Sequence, residues 1–282
     1  MARDSALLPP RVVRVIEPRS GWRPIELREL WEYRDLLYFL VWRDIKVRYA
    51  QSVLGISWAV IQPVFFMIVF SIVFGRLAKI DSDGVPYAIF SFTALVPWTY
   101  FSTSLTEATG SLVQNQSMLN KVYFPRLIMP LAPVLSKLVD FVIAFVLLLI
   151  LMVGFKSSPT PGVLVLPLLV LLMMTTAVGM GMWLTSLAVQ FRDVKYGINF
   201  LAQLLMYAAP VVYPASLIPD RYRLIYGLNP MAGVVEGFRS ALLGTNPMPW
   251  DLLAVGTTVA VVVALGGALY FRRTERIFAD VA

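Results

Sequence analysis

Two pairs of charged residues have spacings that chemistry could use. Asp81 and Asp83, separated by Ser82, imitate the Asp-x-Asp pair that holds a metal in nucleotide-sugar glycosyltransferases. Lys137 and Asp140 stand three residues apart, so one helical face would join them as a local ion pair or as a step in a proton relay. The chain has no Cys and no His, which excludes disulfides, thiolate and imidazole ligands, and any Ser-His or Cys-His catalytic pair. No Gly-x-x-x-x-Gly-Lys-Ser/Thr stretch is present, so this chain has no phosphate-cradling loop of that kind.

The elements around these residues are apolar. Of 282 residues 58% are hydrophobic and 15% charged, against roughly 45 to 50% and about 25% in soluble domains. With a mean hydropathy of +0.72, the polar surface is too small to cover a soluble core, and an all-helical integral membrane protein is expected. A helix needs about 20 apolar residues to cross a hydrocarbon core of about 30 Å. Six stretches approach this, at about 54–74, 87–105, 138–155, 163–189, 196–212 and 252–271; Ser and Thr dilute the second, and the fifth ends at Pro210 and Pro214. They define a transmembrane domain over 53–282 behind an N-terminal segment, 1–52. There is no internal repeat and no low-complexity tract.

Orientation follows from the Lys and Arg residues, which favour the cytoplasmic side. The N-terminal segment, the second and fourth connections and the C-terminus hold eighteen of them, and the opposite side six. Both termini are therefore expected in the cytoplasm, and the net charge of +7 reads as topology, not as a nucleic-acid footprint. Pro9, Pro10, Arg11 and Arg14 interrupt the early apolar residues, so no cleaved signal peptide is expected. The same topology puts Asp81 to Asp83 in a short external turn before Gly84 and Pro86, where solvated carboxylates are the plainer reading.

From Leu27 to Tyr49 the pattern is helical. Leu30, Tyr33, Leu37, Leu40 and Val41 share one face, with Arg28, Glu32, Asp35, Arg43 and Lys46 opposite. This predicts an interfacial helix along the cytoplasmic leaflet, with Trp31 and Trp42 at headgroup depth; the other reading packs it on the protein's own cytoplasmic surface. Between the second and third stretches, Ser111 to Asn120 reads as a short polar helix capped by Thr109 or Gly110, followed by stops at Pro125 and Pro130. Such a helix suits contact with another protein. The connection from Pro210 to Trp250 is cut by six prolines, with Asn229 to Arg239 helical in pattern, and suggests re-entrant half-helices or short external ones.

Two motifs make this organisation specific. Arg43 to Pro63, RDIKVRYAQSVLGISWAVIQP, and Asn120 to Pro130, NKVYFPRLIMP, closely resemble the permease subunits of bacterial ABC-2 type exporters of polysaccharide: O-antigen, capsule and teichoic acid. Phe191 to Lys195 and Asn229-Pro230 match the same pattern, and the likeness covers nearly everything from Leu27 onward. The resemblance implies a homodimer of six-span subunits in the bacterial inner membrane, in contact with membrane lipids and with no nucleic-acid partner. This chain would bind no cofactor and would not itself be an enzyme; ATP and Mg would sit on a separate cytoplasmic nucleotide-binding subunit. The cargo implied is a polyprenyl-diphosphate-linked polysaccharide, of O-antigen type in our reading. An ABC-2 exporter of small lipophilic molecules or drugs is the alternative.

The resemblance also directs attention to particular residues. In such exporters the connection after the second span forms the helix that couples to the ATPase, here Ser111, Gln114, Asn115, Met118, Asn120, Lys121, Tyr123 and Arg126. The first and fifth spans line the conduit. Sugar rings offer C–H faces that pack on aromatic rings, so Trp58, Phe65, Phe66, Phe70, Trp98, Tyr100, Phe101, Tyr207 and Tyr213 are candidate lining residues, or lipid-facing anchors. Arg43, Lys46 and Arg48 precede the first span and are candidates for diphosphate or headgroup contact. The small-residue pairs Gly55 with Ala59 and Ala177 with Gly181 would permit close helix packing, with a dimer seam as one use.

Overall fold

The computed structural model describes residues 27–50, 55–119, 121 and 123–275, and these are all helix and connection, with no strand. In chain order the helices are α1 (Leu27–Glu32), α2 (Arg34–Ala50), α3 (Trp58–Phe70, continued by a π turn over Ser71–Leu77), α4 (Tyr87–Gln114) and α5 (Gln116–Leu119). They continue as α6 (Ile128–Gly154), α7 (Leu166–Gln190, entered through a 3-10 turn at Pro161–Val165), α8 (Asp193–Tyr207), α9 (Asp220–Tyr226), α10 (Pro230–Leu243) and α11 (Trp250–Thr274). Among the described residues four helical segments are long and apolar enough to cross a membrane: Trp58–Leu77, Ile128–Gly154, Pro161–Gln190 and Trp250–Thr274.

α4 is the axle of the bundle, packed by α3, α6, α7, α8 and α10. Every residue from Ile89 to Trp98 is buried. That explains its mixed composition, because protein and not lipid covers it. Four of its threonine hydroxyls are absorbed along the helix: Thr93, Thr103, Thr106 and Thr109 each donate to the carbonyl four residues back, at 2.7 to 2.9 Å. The second expected stretch therefore runs on to Gln114, and Thr109 and Gly110 lie inside the helix instead of capping a new one. The polar helix expected over Ser111 to Asn120 shrinks to Gln116–Leu119. Pro130 does not stop a helix either, since it sits in the first turn of α6, where a missing N–H costs nothing. α8 ends at Tyr207, five residues short of the expected boundary.

α7 and α11 meet along a seam of small residues. A Cβ on Gly179 would stand 2.7 Å from the Ala264 Cα, and one on Gly267 would stand 2.5 Å from the Gly179 carbonyl oxygen. Trp183 closes the seam by stacking on Tyr270 with ring centres 4.7 Å apart. Ala177 and Gly181 face α4 of the same chain, where Thr185 donates to the Ala108 carbonyl at 2.7 Å. Their small size is spent on internal packing and not on a dimer seam.

The N-terminal helix is nearly continuous, because the Tyr33 N–H reaches the Glu29 carbonyl and the Leu37 N–H the Tyr33 carbonyl. Leu30, Tyr33, Leu37, Leu40 and Val41 pack into a second core with Leu112, Phe124, Ile128, Met129 and Phe271. The predicted face is the buried one, and it packs on the protein itself. Trp31, Tyr38 and Trp42 form the opposite, exposed stripe.

Candidate functional site

Where α2, α4 and α6 converge, four charges form one cluster. The Arg48 guanidinium donates to Glu107 at 3.0 Å and to Asp140 at 3.1 Å, and also reaches the Ser136 hydroxyl at 3.3 Å. The Lys137 ammonium lies 2.6 Å from Glu107 and 3.5 Å from Asp140, and the Tyr49 hydroxyl donates to Asp140. Two cations face two anions, so the cluster is neutral as a whole. Lys137 and Asp140 do form the expected local pair; Arg48 and Glu107, 59 residues apart, are its long-range completion. The cluster borders a partly open cavity of about 280 Å³. Its walls include Trp58 from α3, Thr99, Tyr100 and Thr103 from α4, and Phe141 and Ala144 from α6.

The other basic candidates have different surroundings. Arg43 pairs with its neighbour Asp44 at 2.9 Å, and Lys46 lies over the Trp42 ring. Eight of the nine candidate aromatics divide into two groups. Trp58, Phe65, Phe66 and Tyr207 are exposed on the single chain, whereas Phe70, Trp98, Tyr100 and Phe101 are buried within it. Tyr100 donates to the Val134 carbonyl at 2.9 Å, and Phe101 borders an apolar groove of about 870 Å³ between α7, α8, α9 and α11. Tyr213 is half-buried; its hydroxyl donates to the Tyr207 carbonyl and accepts from Tyr226.

The helices left least covered are informative. In the apolar window of Trp58–Leu77 only 11% of residues are buried inside the chain, against 33% in each of the other three. α8 likewise presents Tyr196, Phe200, Leu204 and Tyr207 along one exposed stripe.

The connection between α4 and α6 lies at the base. Ser111 is buried in the last turn of α4, Gln114 is exposed, and the Asn115 amide donates to the Ser111 carbonyl at 2.8 Å. Met118 packs on the second core, while Lys121 and Tyr123 are exposed. Arg126 donates to the Glu275 carbonyl at the end of α11. Burial pushes the Glu275 carboxyl above the ordinary carboxylate range, opposed by the charges of Arg272 and Arg126. Asn120 lies outside the described residues.

At the other end of the bundle sits a residue that was counted only as an external charge. Arg239 of α10 is wholly buried and donates to the carbonyls of Phe90, Pro210, Val211 and Tyr213, with Glu236 3.5 Å away. It gathers the carbonyls freed where α8 ends and the chain turns at Pro210. Asn246 bridges Glu236 and Asp83, and Asp83 also accepts from Ser216 at 2.9 Å. Asp83 is thus tied into the fold instead of being merely solvated. No group of three Asp or Glu able to hold a metal occurs among the described residues. The available signal was Glu236 and Arg239 three residues apart in an otherwise apolar helix.

A bundle of helices with four segments long and apolar enough to cross a membrane among the described residues is the build of a multi-span membrane protein. The chain belongs to the ABC-2 type transporter family, whose model matches residues 35–243. It is 30% identical over 256 residues to the O-antigen export system permease protein RfbA of Myxococcus xanthus, covering 90% of this chain and 98% of that one. It is 24% identical to the protein of the same name from Klebsiella pneumoniae, over 88% of this chain and 95% of the relative. It is 23% identical to the polysialic acid transport protein KpsM of Escherichia coli, over 83% and 91%.

Proposed function

We propose that this chain is the transmembrane permease subunit of an ATP-driven exporter that moves a polyprenyl-diphosphate-linked polysaccharide of O-antigen type across the bacterial inner membrane. The observation that carries this reading is the end-to-end likeness to a permease named for O-antigen export, 98% of whose length is matched. In this reading α4 and α8 join the four apolar segments to make six spans, with both termini cytoplasmic. α8 has 15 residues and spans only about 22 Å as helix, so the turns at 208–214 complete the crossing. α3 and α8 leave aromatic faces uncovered, which supports a homodimer whose conduit they line through Trp58, Phe65, Phe66 and Tyr207. ATP and its magnesium belong to a separate nucleotide-binding subunit that pushes on residues 111–126.

The test is export with that subunit supplied. Replacing Tyr123 and Arg126 together by Ala is expected to leave ATP hydrolysis running while surface glycan falls; unchanged coupling would overturn the contact. The 870 Å³ apolar groove favours a second reading, export of small lipophilic molecules. Trp58→Ala or Phe66→Ala separates the two: loss of surface glycan with unchanged drug resistance supports the first, and the reverse supports the second.

A further inference from the structure

The cavity beside the charge cluster has a composition that calls for a particular kind of ligand. Gln62 lines it, one turn inside the start of the apolar segment Trp58–Leu77; its side chain is exposed on the single chain, with no hydrogen-bond partner among the described residues. In hydrocarbon an unpaired primary amide costs several kcal/mol, so this side chain needs water, a polar ligand or a polar group of a second subunit, and its place on the cavity wall favours the ligand. Pro63 has no N–H to offer the Ala59 carbonyl, and Ala59 also lines the cavity. Trp58 and Gln62 stand one turn apart on α3, facing Thr99 and Thr103, one turn apart on α4. The small residues Gly55 and Ala59 open the space between them.

These groups select by chemistry. A free anion finds no surplus charge, because Arg48 and Lys137 are already matched by Glu107 and Asp140. An apolar chain would have to cover an ionic floor and leave the Gln62 amide unpaired. A neutral ring rich in hydroxyls suits the whole surface: its C–H face stacks on Trp58, and its hydroxyls meet an amide, threonine hydroxyls, a proline-freed carbonyl and carboxylate edges. At about 280 Å³ the cavity lies just below the usual small-molecule range of roughly 300 to 1,000 Å³. That is room for one sugar ring, and too little for a lipid tail or a nucleotide.

We propose that the cavity between α3, α4 and α6 is a subsite for a single neutral monosaccharide unit of the exported glycan, with Trp58 as its stacking platform and Gln62 as its hydrogen-bonding residue. The proposal rests on the glycan-export reading and adds to it a place where one ring pauses. The absence of native cysteines makes the test clean. Gln62→Cys, introduced as the sole thiol, is probed in cells with a water-soluble maleimide, with glycan synthesis on and off; Val142→Cys, exposed on the apolar side of α6, is the lipid-facing control. The subsite predicts labelling of Gln62→Cys at least several-fold faster than Val142→Cys, and protection while glycan is being made. Labelling that glycan synthesis does not change would overturn the proposal, and so would labelling no faster than the control.

Gln62→Leu supplies the second measurement. A lipid-facing Gln62 predicts unchanged export, because leucine is better suited to hydrocarbon. The subsite predicts surface glycan reduced roughly three- to tenfold at equal protein level, the loss of about one hydrogen bond, with partial recovery in Gln62→Asn. Failure of the unaltered chain to restore surface glycan would overturn the export reading itself, whereas export that is indifferent to Gln62→Leu would overturn the subsite alone.

Discussion

Replacing Arg239 by methionine, similar in length and wholly apolar, should be among the most damaging single changes to this protein. The guanidinium has no exposed surface and donates to four carbonyls at 2.5 to 3.3 Å. Those of Pro210, Val211 and Tyr213 belong to the turn where α8 gives way to the outer segment, and Phe90 belongs to the axle helix. Each buried carbonyl left unpaired costs about 1 to 3 kcal/mol, and stranding the Glu236 carboxylate resembles breaking a buried ion pair, about 3 to 5 kcal/mol. These terms overlap, because the turn can relax toward whatever donors remain. A net loss of about 4 kcal/mol is therefore expected, which for a chain of this size lowers Tm by roughly 8 to 16 °C. The assay is thermal unfolding of the detergent-purified protein, followed by size-exclusion chromatography. Arg239→Lys should lose less, since an ammonium keeps the charge but lacks the planar fork. Adding Glu236→Gln to Arg239→Met should recover part of the loss by removing the stranded anion. A Tm for Arg239→Met within about 2 °C of the parent would refute the claim that this side chain holds the outer segment to the bundle.

Two further outcomes follow from the helix contacts. Asp140→Asn should destabilise more than Glu107→Gln, at roughly 2 kcal/mol against about 1 or less, because Asp140 is 25% exposed with three partners while Glu107 is 41% exposed and screened by solvent; denaturation of the two purified variants gives the order directly. Gly267→Ala should cost about 1 to 3 kcal/mol by forcing α11 off α7, whereas Gly154→Ala, with nothing within 4 Å of the added carbon, should be neutral in the same melting experiment.

The sequence by itself determined whatever depends on composition and local period. Its charge deficit and apolar lengths required a helical membrane protein, and the spacing of Leu30, Tyr33, Leu37, Leu40 and Val41 identified the buried face of the first helix. Lys137 and Asp140 were legible as a pair because helix geometry alone brings residues three apart together. Asn229 was legible as a helix start, and its side chain does accept from the Met231 N–H. Hydropathy judged α4 weak because it assumes that lipid covers every span, whereas α4 is covered by five other helices. Glu107 joins Arg48 and Lys137 only through the packing of α2, α4 and α6, and nothing near any of the three in sequence announces it. Arg239 looked like one more charge in an external connection until folding placed it over four carbonyls. Local pattern sets what a residue can do with its near neighbours along the chain. Which distant backbone atoms need a donor is decided only when the helices meet, because the cost of an unpaired polar group exists only once water has been excluded from around it.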